Sequence, residues 1–494
     1  MIMQIDLAEL AYAQWQAEEE LERQRNVLLA RDYFAGDVDL PLTDRQLLYL
    51  GYKKNDNPFA MNFCRIVVKA VCERLIVKGF DSADKIFSDW ATKFWQVNRM
   101  DAVSIDVDLD AVRDGEMFVI VSWDTDQKRL IFTPHERYTD PQVEGTGYGC
   151  RAIYPDDDPK QPMQCAVKRW TETQNIDAKR QTRQRMTVYY PDRLERYAMG
   201  PGGEWVSFQE DGQPFPTPWK DRNGKPLGIP VVHFRNSGGI SELWDAIPLQ
   251  DAIHKSTLDL LAAQDTAGFP LLIARGFNLT TDGAIPANDG SNLLKLAPGS
   301  WIGTPDPAQD VQRLEGANLE QMLKVVDSLI IKLAQVTDTP VSRFQVTGQI
   351  AAAETQKQYD APLLNKVRNR QIAFGDAWED CFYIARKLAN LFGGAGLNEE
   401  SLIETQWEPA EARDETAEIE RLAIKADKLG IPKRQIWKEA GYTDDQIVSM
   451  LAEPEIAQGR TSAELQALEL AQAKAAMTLP EVLNAGRGSG APVQ

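Results

Sequence analysis

The feature that most constrains this chain is a long helical pattern in its second half that is broken once. From Ala317 to Val336, apolar residues at Leu319, Met322, Val326, Leu329, Leu333 and Val336 alternate spacings of three and four, which sets them along one side of a helix. Glu320, Lys324, Asp327, Ser328 and Lys332 fall largely on the opposite side. Burying each apolar side chain of that stripe is worth about 1.5–3 kcal/mol, enough to dock the helix firmly. The pattern stops at Thr337-Asp338-Thr339-Pro340 and resumes near Ile350. Leu364, Val367, Phe374, Trp378, Cys381, Ala385, Leu388 and Phe392 then mark one face of a very long helix that ends at Gly393-Gly394. Pro362 lies inside it and predicts a kink, because proline removes a backbone bond and crowds the preceding turn.

Upstream, the chain alternates between two textures. A helix is expected from about Asp6 to Phe34, closed at Ala35-Gly36, with the Glu18-Glu19-Glu20 run as a solvated face. Asn57-Pro58 predicts the start of a second helix, carrying Phe63, Val67, Ala70 and Val71 towards Leu75-Ile76-Val77 and stopped by Gly79. Two more helices are expected over Ala83–Val97 and Asp101–Arg113. Glu116–Trp123, Leu130–Thr133, Cys150–Tyr154, Ala166–Trp170 and Met186–Tyr190 are then rich in β-formers and separated by Gly and Asp turns. That spacing predicts an antiparallel meander with Val231–Phe234 as its last strand. Pro248 opens a helix to Ala267 with Leu249, Ile253, Leu260 and Ala263 as its apolar stripe. The Gly-, Pro- and Asn-rich stretch from Phe269 to about Glu315 is a compact insert, with Leu271–Ala274 and Leu293–Leu296 as short strands. Glu411 to Met477 is helical and charged, and the last residues, ending at Gln494, read as a disordered tail.

With 494 residues and 43% hydrophobic content, two to four packed units are expected. No run approaches ~18 apolar residues, so no membrane span is expected. The acidic N-terminus lacks the pattern of a secretory leader. Cys64, Cys72, Cys150, Cys165 and Cys381 are scattered without a Cys-x-x-Cys pair, and read as reduced thiols, some of them buried. A net charge of −19 argues against tight non-specific binding of nucleic acid by the chain as a whole.

Residues for catalysis do not converge. His135, His233 and His254 are the three histidines, and none lies near another in sequence. His135-Glu136 lacks the second histidine of a zinc helix and reads as a loop pair. No phosphate loop or dinucleotide fingerprint occurs, and Gly145-Thr146-Gly147-Tyr148-Gly149 reads as a turn. Asp156-Asp157-Asp158 offers paired carboxylates, but adjacent acids in a proline-flanked turn are usually solvated. Neither a metal site nor a cofactor is expected. Ile419–Leu429, Gly430-Ile431-Pro432 and Lys433–Ala440 outline a helix-turn-helix with Lys433, Arg434 and Lys438 on its second helix. The acidic surroundings favour a structural helical hairpin there.

The order of these parts resembles the portal proteins of tailed bacteriophages, in particular the Gp6-like family of siphovirus type. Phrases that carry the resemblance are Arg31–Gly36, Asn62–Gly79 (NFCRIVVKAVCERLIVKG), Pro230–Asn236, Ile247–Ile253, and Thr337–Pro340 leading into Ala373–Trp378. The resemblance covers nearly the whole chain, and the joint order of the phrases is more specific than any one of them. It implies a predominantly helical α+β subunit with wing, stem, clip and crown organisation that forms a ring. The implied divisions are a wing over 1–239, a first stem helix over 240–267, a clip over 268–315 and a second stem helix over 316–336. A tunnel loop over 337–349 follows, then a long kinked helix returning to the wing over 350–410, a helical crown over 411–480 and a tail over 481–494.

The resemblance further implies a non-enzymatic protein of the virion, made in the host cytoplasm and placed at one vertex of the capsid. Its ring, of about twelve copies, would dock the terminase large subunit and then head-completion or adaptor proteins, beside major capsid and scaffolding proteins. Double-stranded DNA would pass non-specifically, with Thr337, Thr339, Ser342, Arg343, Gln345 and Gln349 as tunnel-loop contacts and Lys324 and Lys332 as stem lysines facing the channel. From the residues alone, 337–349 reads equally as an ordinary connection between helices. Three rival readings stand beside the portal. They are another phage head or connector protein without a channel role, a carboxylate-dependent hydrolase acting through Asp156 and Asp157, and a DNA-binding regulator using Gly430–Ala440.

Overall fold

The computed structural model describes residues 18–38, 61–138, 149–176, 179–209, 213–268, 272–275, 301–304, 310–313, 318–344, 353–411, 415–440, 442, 446–447 and 449–450. The chain divides into two units, Met1–Glu411 and Ala412–Gln494.

In the first unit, α1 spans Glu18–Ala35 and closes on Gly36, whose positive φ lets its N–H reach the Asp32 carbonyl at 2.8 Å. Helix α2 spans Phe63–Cys72. Its N-cap is Asn62, whose side chain accepts from the Arg65 N–H, so the helix begins there and not at Asn57-Pro58. Nor does it continue to Gly79. Strand β1, Val77–Ser82, follows instead, and Gly79 sits at a bulge in its pairing. The β-branched Val77 and the aromatic Phe80 favour a pleated surface, and the partner strand that fixes them lies far along the chain.

Helices α3 (Lys85–Val97) and α4 (Met100–Asp114) come next, the first capped by Asp84. Helix α4 ends at Gly115, with φ +95°, and a Cβ there would lie 2.6 Å from the Ile240 carbonyl carbon. Only glycine fits that turn and that approach. Strands β2 (Glu116–Asp124) and β3 (Arg129–Glu136) form a hairpin. His135-Glu136 is therefore part of a strand and not a loop.

The strand-rich region is two sheets and not one meander. Strands β4 (Gly149–Ile153), β5 (Cys165–Ile176), β6 (Lys179–Tyr189), β7 (Arg193–Met199) and β8 (Trp205–Ser207) are joined in that order, and the short β9 (Thr217–Pro218) pairs with β7. Strand β10 (Val231–Arg235) leaves this sheet and pairs antiparallel with β2, giving the order β10-β2-β3. Its apolar residues Val231, Val232 and Phe234 are buried there, which explains the choice.

Helix α5 spans Ile247–Gly268. In the insert that follows, β11 (Leu272–Arg275) pairs parallel with β12 (Trp301–Thr304) and antiparallel with β13 (Asp310–Arg313). The expected strand at Leu293–Leu296 lies outside the described residues. Helix α6 (Leu319–Val336) packs against α5. Helix α7 (Ala353–Leu388) runs unbroken past Pro362 and passes into one π-helical turn, Ala389–Gly393. Strand β14 (Ile403–Trp407) then returns to pair with β1.

Helix α7 organises the core. Phe374, Trp378, Cys381, Phe382, Ala385 and Leu388 are fully or almost fully buried. Phe382 lies 4.2 Å from Phe80 and 5.5 Å from Phe132 between ring centroids, with Phe87, Phe94 and Trp95 around it. Aromatic pairs in such tilted and edge-on arrangements add about 0.5–1.5 kcal/mol each beyond their buried area. The five cysteines are all free and buried.

The second unit contains α8 (Glu415–Leu429) and α9 (Lys433–Glu439), joined at Gly430 with φ +63° and tied by Lys425 Nζ to Glu439 at 2.7 Å. This is the expected pair of helices. The tail, 481–494, and most of 411–480 beyond these helices lie outside the described residues.

Candidate functional site

Helix α6 starts at Asn318, whose side chain accepts from the Glu320 and Gln321 N–H groups. Its buried residues are Val326, Ile330, Leu333 and Ala334. The stripe read from spacing is thus rotated, since Leu319, Met322 and Leu329 are half-buried and Val336 is 53% exposed. Leu323 (50%), Val325 (52%) and Ile331 (40%) are exposed as well. Lys324 and Lys332 stand in solvent, and Lys324 Nζ pairs with Glu320 one turn earlier at 2.7 Å. An exposed pair of this kind contributes little to stability.

The helix ends in a Schellman-type turn. Thr337 N–H donates to the Leu333 carbonyl at 3.0 Å and Thr339 N–H to the Ala334 carbonyl at 2.9 Å, while Asp338 takes the left-handed conformation with φ +50°. Pro340 then excludes further helix, and Val341–Arg343 forms a single 3-10 turn.

Of the expected DNA contacts, Thr337 and Thr339 are each only 3% exposed. Thr337 Oγ1 donates to the Leu333 carbonyl at 2.8 Å, and the two hydroxyls meet at 3.1 Å. In the isolated subunit their side chains hold the turn together and do not face outward. Ser342 is exposed, and Arg343 is partly exposed and pairs with Glu73 at 3.0 Å. Phe344 packs edge-on against Phe63 at 5.7 Å. Gln345, Thr347 and Gln349 lie outside the described residues.

Behind the turn is an ion network that spacing and composition did not flag. Lys366 Nζ on α7 donates to the Thr337 carbonyl at 2.6 Å and to Glu242 Oε1 at 2.6 Å. Arg370 Nη2, one turn further, donates to Glu242 Oε2 at 2.9 Å. The Glu242 backbone N–H donates to the Val112 carbonyl at 3.0 Å. Burial works to raise the Glu242 carboxyl, but Lys366 and Arg370 together hold it below the usual carboxylate range. The one sequence signal was Lys366 and Arg370 set four apart beside the buried stripe Leu363, Val367 and Phe374.

A correction concerns Glu20. It is 6% exposed and meets Arg137 and Tyr138, so it is no part of a solvated face. The histidines have separate partners: His135 and His233 flank Phe118 on neighbouring strands, with His135 3.1 Å from Lys168 and His233 2.9 Å from Tyr154, while His254 contacts Gln250 and the Met61 carbonyl. Pro155–Asp157 is a 3-10 turn without a buried residue. Among the described residues no group of three or more His, Cys, Asp or Glu is arranged to hold a metal ion, and no helix is long and apolar enough to cross a membrane. Lys433, Arg434 and Lys438 of α9 are exposed.

Residues 14–476 match the sequence profile of the family described as phage portal protein, SPP1 Gp6-like. The portal protein of Mycobacterium phage D29 is 22% identical over 412 residues, covering 78% of this chain and 76% of that protein. The portal protein of Mycobacterium phage L5 is 23% identical over 399 residues, covering 75% of this chain and 71% of that protein.

Proposed function

The chain belongs to the SPP1 Gp6-like family of phage portal proteins, and on that premise we propose how its parts serve the DNA channel of the capsid. The family is structural, and its members act as homo-oligomeric rings within the virion. Helices α5 and α6 form the stem, the three-stranded insert the clip, residues 1–239 with α7 the wing, 337–349 the tunnel loop and 411–480 the crown. The clip docks the terminase motor first and head-completion proteins afterwards.

The observation that carries this reading is the double-sided character of α6. One side buries Val326, Ile330 and Leu333 in its own subunit, while Leu323, Val325, Ile331 and Val336 remain exposed. A head-to-tail ring needs each subunit to offer one surface to each neighbour, and the exposed apolar side of α6 is suited to be one of them. Within the loop, Ser342 and Arg343 are the residues that support a weak phosphate contact, because their side chains reach solvent. The acidic net charge of each copy keeps the channel from holding DNA tightly. Negative-stain averages of the purified protein test the reading. Closed rings of about a dozen subunits are expected, and a protein that stays monomeric, alone and with capsid components, would refute it.

A further inference from the structure

A cavity of about 230 Å³ opens where α1 meets the two sheets. Four guanidinium groups line it: Arg23 of α1, Arg137 after β3, Arg151 of β4 and Arg235 of β10. Glu20, Glu116 and Asp157 are the acids that face them. The cavity therefore keeps one net positive charge in a chain whose total is −19.

Glu20 and Glu116 are already committed. Arg137 donates through Nη2 to Glu20 at 3.0 Å and through Nη1 to Glu116, with all three side chains 6–7% exposed. Two other buried donors stop short of these carboxylates. Arg151 Nη1 lies 3.6 Å from Glu20 Oε2, and His233 Nε2 lies 3.4 Å from Glu116 Oε2. Neither contact is a well-formed hydrogen bond, although His233 still helps to hold the Glu116 carboxyl low. Tyr154 Oη is 2.9 Å from His233 Nδ1. When Nδ1 accepts from that hydroxyl, Nε2 carries the proton and is left as a donor. The His233 side chain is 6% exposed and stacks on Phe118 at 4.6 Å, so it is not free to turn towards bulk water.

Buried donors in excess, surplus positive charge and a small polar space define the missing partner. It must be an anion rich in hydrogen-bond acceptors and small enough to enter a cavity too narrow for a nucleic-acid strand. We propose that this cavity binds a small inorganic oxyanion, with phosphate as the representative, which accepts from Arg151 Nη1 and His233 Nε2. Arg23 and Arg235 balance its charge from either side. Because Arg23 and Glu20 belong to α1 while Arg151 and His233 belong to the two sheets, the bound ion fastens the N-terminal helix to both.

The test is calorimetric titration of the full chain with inorganic phosphate at fixed ionic strength, chloride replacing it in the control. Thermal unfolding is followed in parallel. One saturable site per chain is expected, with an unfolding temperature that rises to a plateau. Arg151→Met, which keeps the aliphatic stem, is expected to weaken binding about tenfold or more, because a charge-assisted bond is lost. Arg23→Glu, at an exposed position, is expected to weaken it as well while leaving the phosphate-free unfolding temperature near wild type. Absence of saturable heat in the wild type overturns the proposal, as does equal affinity in wild type and Arg23→Glu. The second outcome decides the matter even if Arg151→Met does not fold.

Discussion

Glu242→Gln should be among the most damaging single-atom changes this protein can suffer. The carboxylate bridges Lys366 at 2.6 Å and Arg370 at 2.9 Å, and the three side chains are only 10–13% exposed. Glutamine keeps the size but removes the charge, leaving two cations under cover with only a neutral amide between them. Breaking a buried ion pair in this way typically costs about 3–5 kcal/mol. Measured against a usual domain stability of about 5–15 kcal/mol, that is a large share. Urea unfolding, followed by the combined tryptophan fluorescence of the chain, gives the difference directly, provided the slope m is unchanged. The acid side supplies an internal control. The folded pKa of Glu242 is lowered, so its contribution is complete above the unfolded value near 4.3 and is lost as pH falls through the folded one. The deficit of Glu242→Gln should therefore shrink on acidification below about pH 4. Combining it with Lys366→Met should give a coupling of about 0.5–3 kcal/mol. A cost below about 1 kcal/mol at neutral pH would refute the argument, because the network would then behave as an ordinary solvated pair.

Three other outcomes follow from features already described. Asp108 is 1% exposed, and neither its oxygens nor Trp378 Nε1 beside it make a well-formed hydrogen bond; burial pushes its carboxyl well above the usual range against the opposing effect of Trp378. The folded protein then keeps a proton that the unfolded chain releases above pH ~3.9, so stability falls by about 1.4 kcal/mol per pH unit up to the folded pKa. Asp108→Asn should flatten that slope, leaving the part due to Asp110 and Asp380, both pushed up to about 6, as denaturation curves at pH 5 and 7 will show. Replacing exposed Leu323 and Ile331 together by Asp should leave the subunit's unfolding temperature within a few degrees but prevent ring closure, as read by mass photometry. Lys324→Ala with Lys332→Ala should alter DNA packaging yield or retention in particles, and unchanged yields would remove both lysines from the channel.

Much of this architecture is legible in spacing alone. Helices α6 and α7, the break between them and the pair at Gly430 were all expected from periodicity, turn residues and proline. What failed depended on partners distant in sequence. Leu75-Ile76-Val77 continues a helical pattern locally, but β1 forms because Ile403–Trp407 lies alongside it. Glu20 looks like one of three solvated acids until Arg137 and Tyr138 arrive from the end of β3. The stripe on α6 was right at Val326 and Leu333 but off by part of a turn elsewhere, since spacings of three and four from those two residues reach Leu329 and Val336 as readily as Ile330 and, through it, Ala334. Only packing chooses between them, and it chose the second pair. Thr337 and Thr339 show the same limit for polar residues: a hydroxyl suited to touching DNA is equally suited to satisfying the end of its own helix.

Lys366 holds two things with one ammonium group, the Thr337 carbonyl at the cap of α6 and the carboxylate of Glu242. In mechanical terms it is a rivet through three plates. A pull on the loop after Thr337 is carried by Lys366 into α7, and through Glu242 into the segment that leaves β10, where the Asn236 side chain holds the Ile240 carbonyl at 2.8 Å. Glu242 in turn is pinned by its backbone to Val112 in α4. Load at the loop is thus spread into the sheet and the helical core instead of unwinding the end of α6. Loosening the rivet would let the loop move without the rest of the subunit.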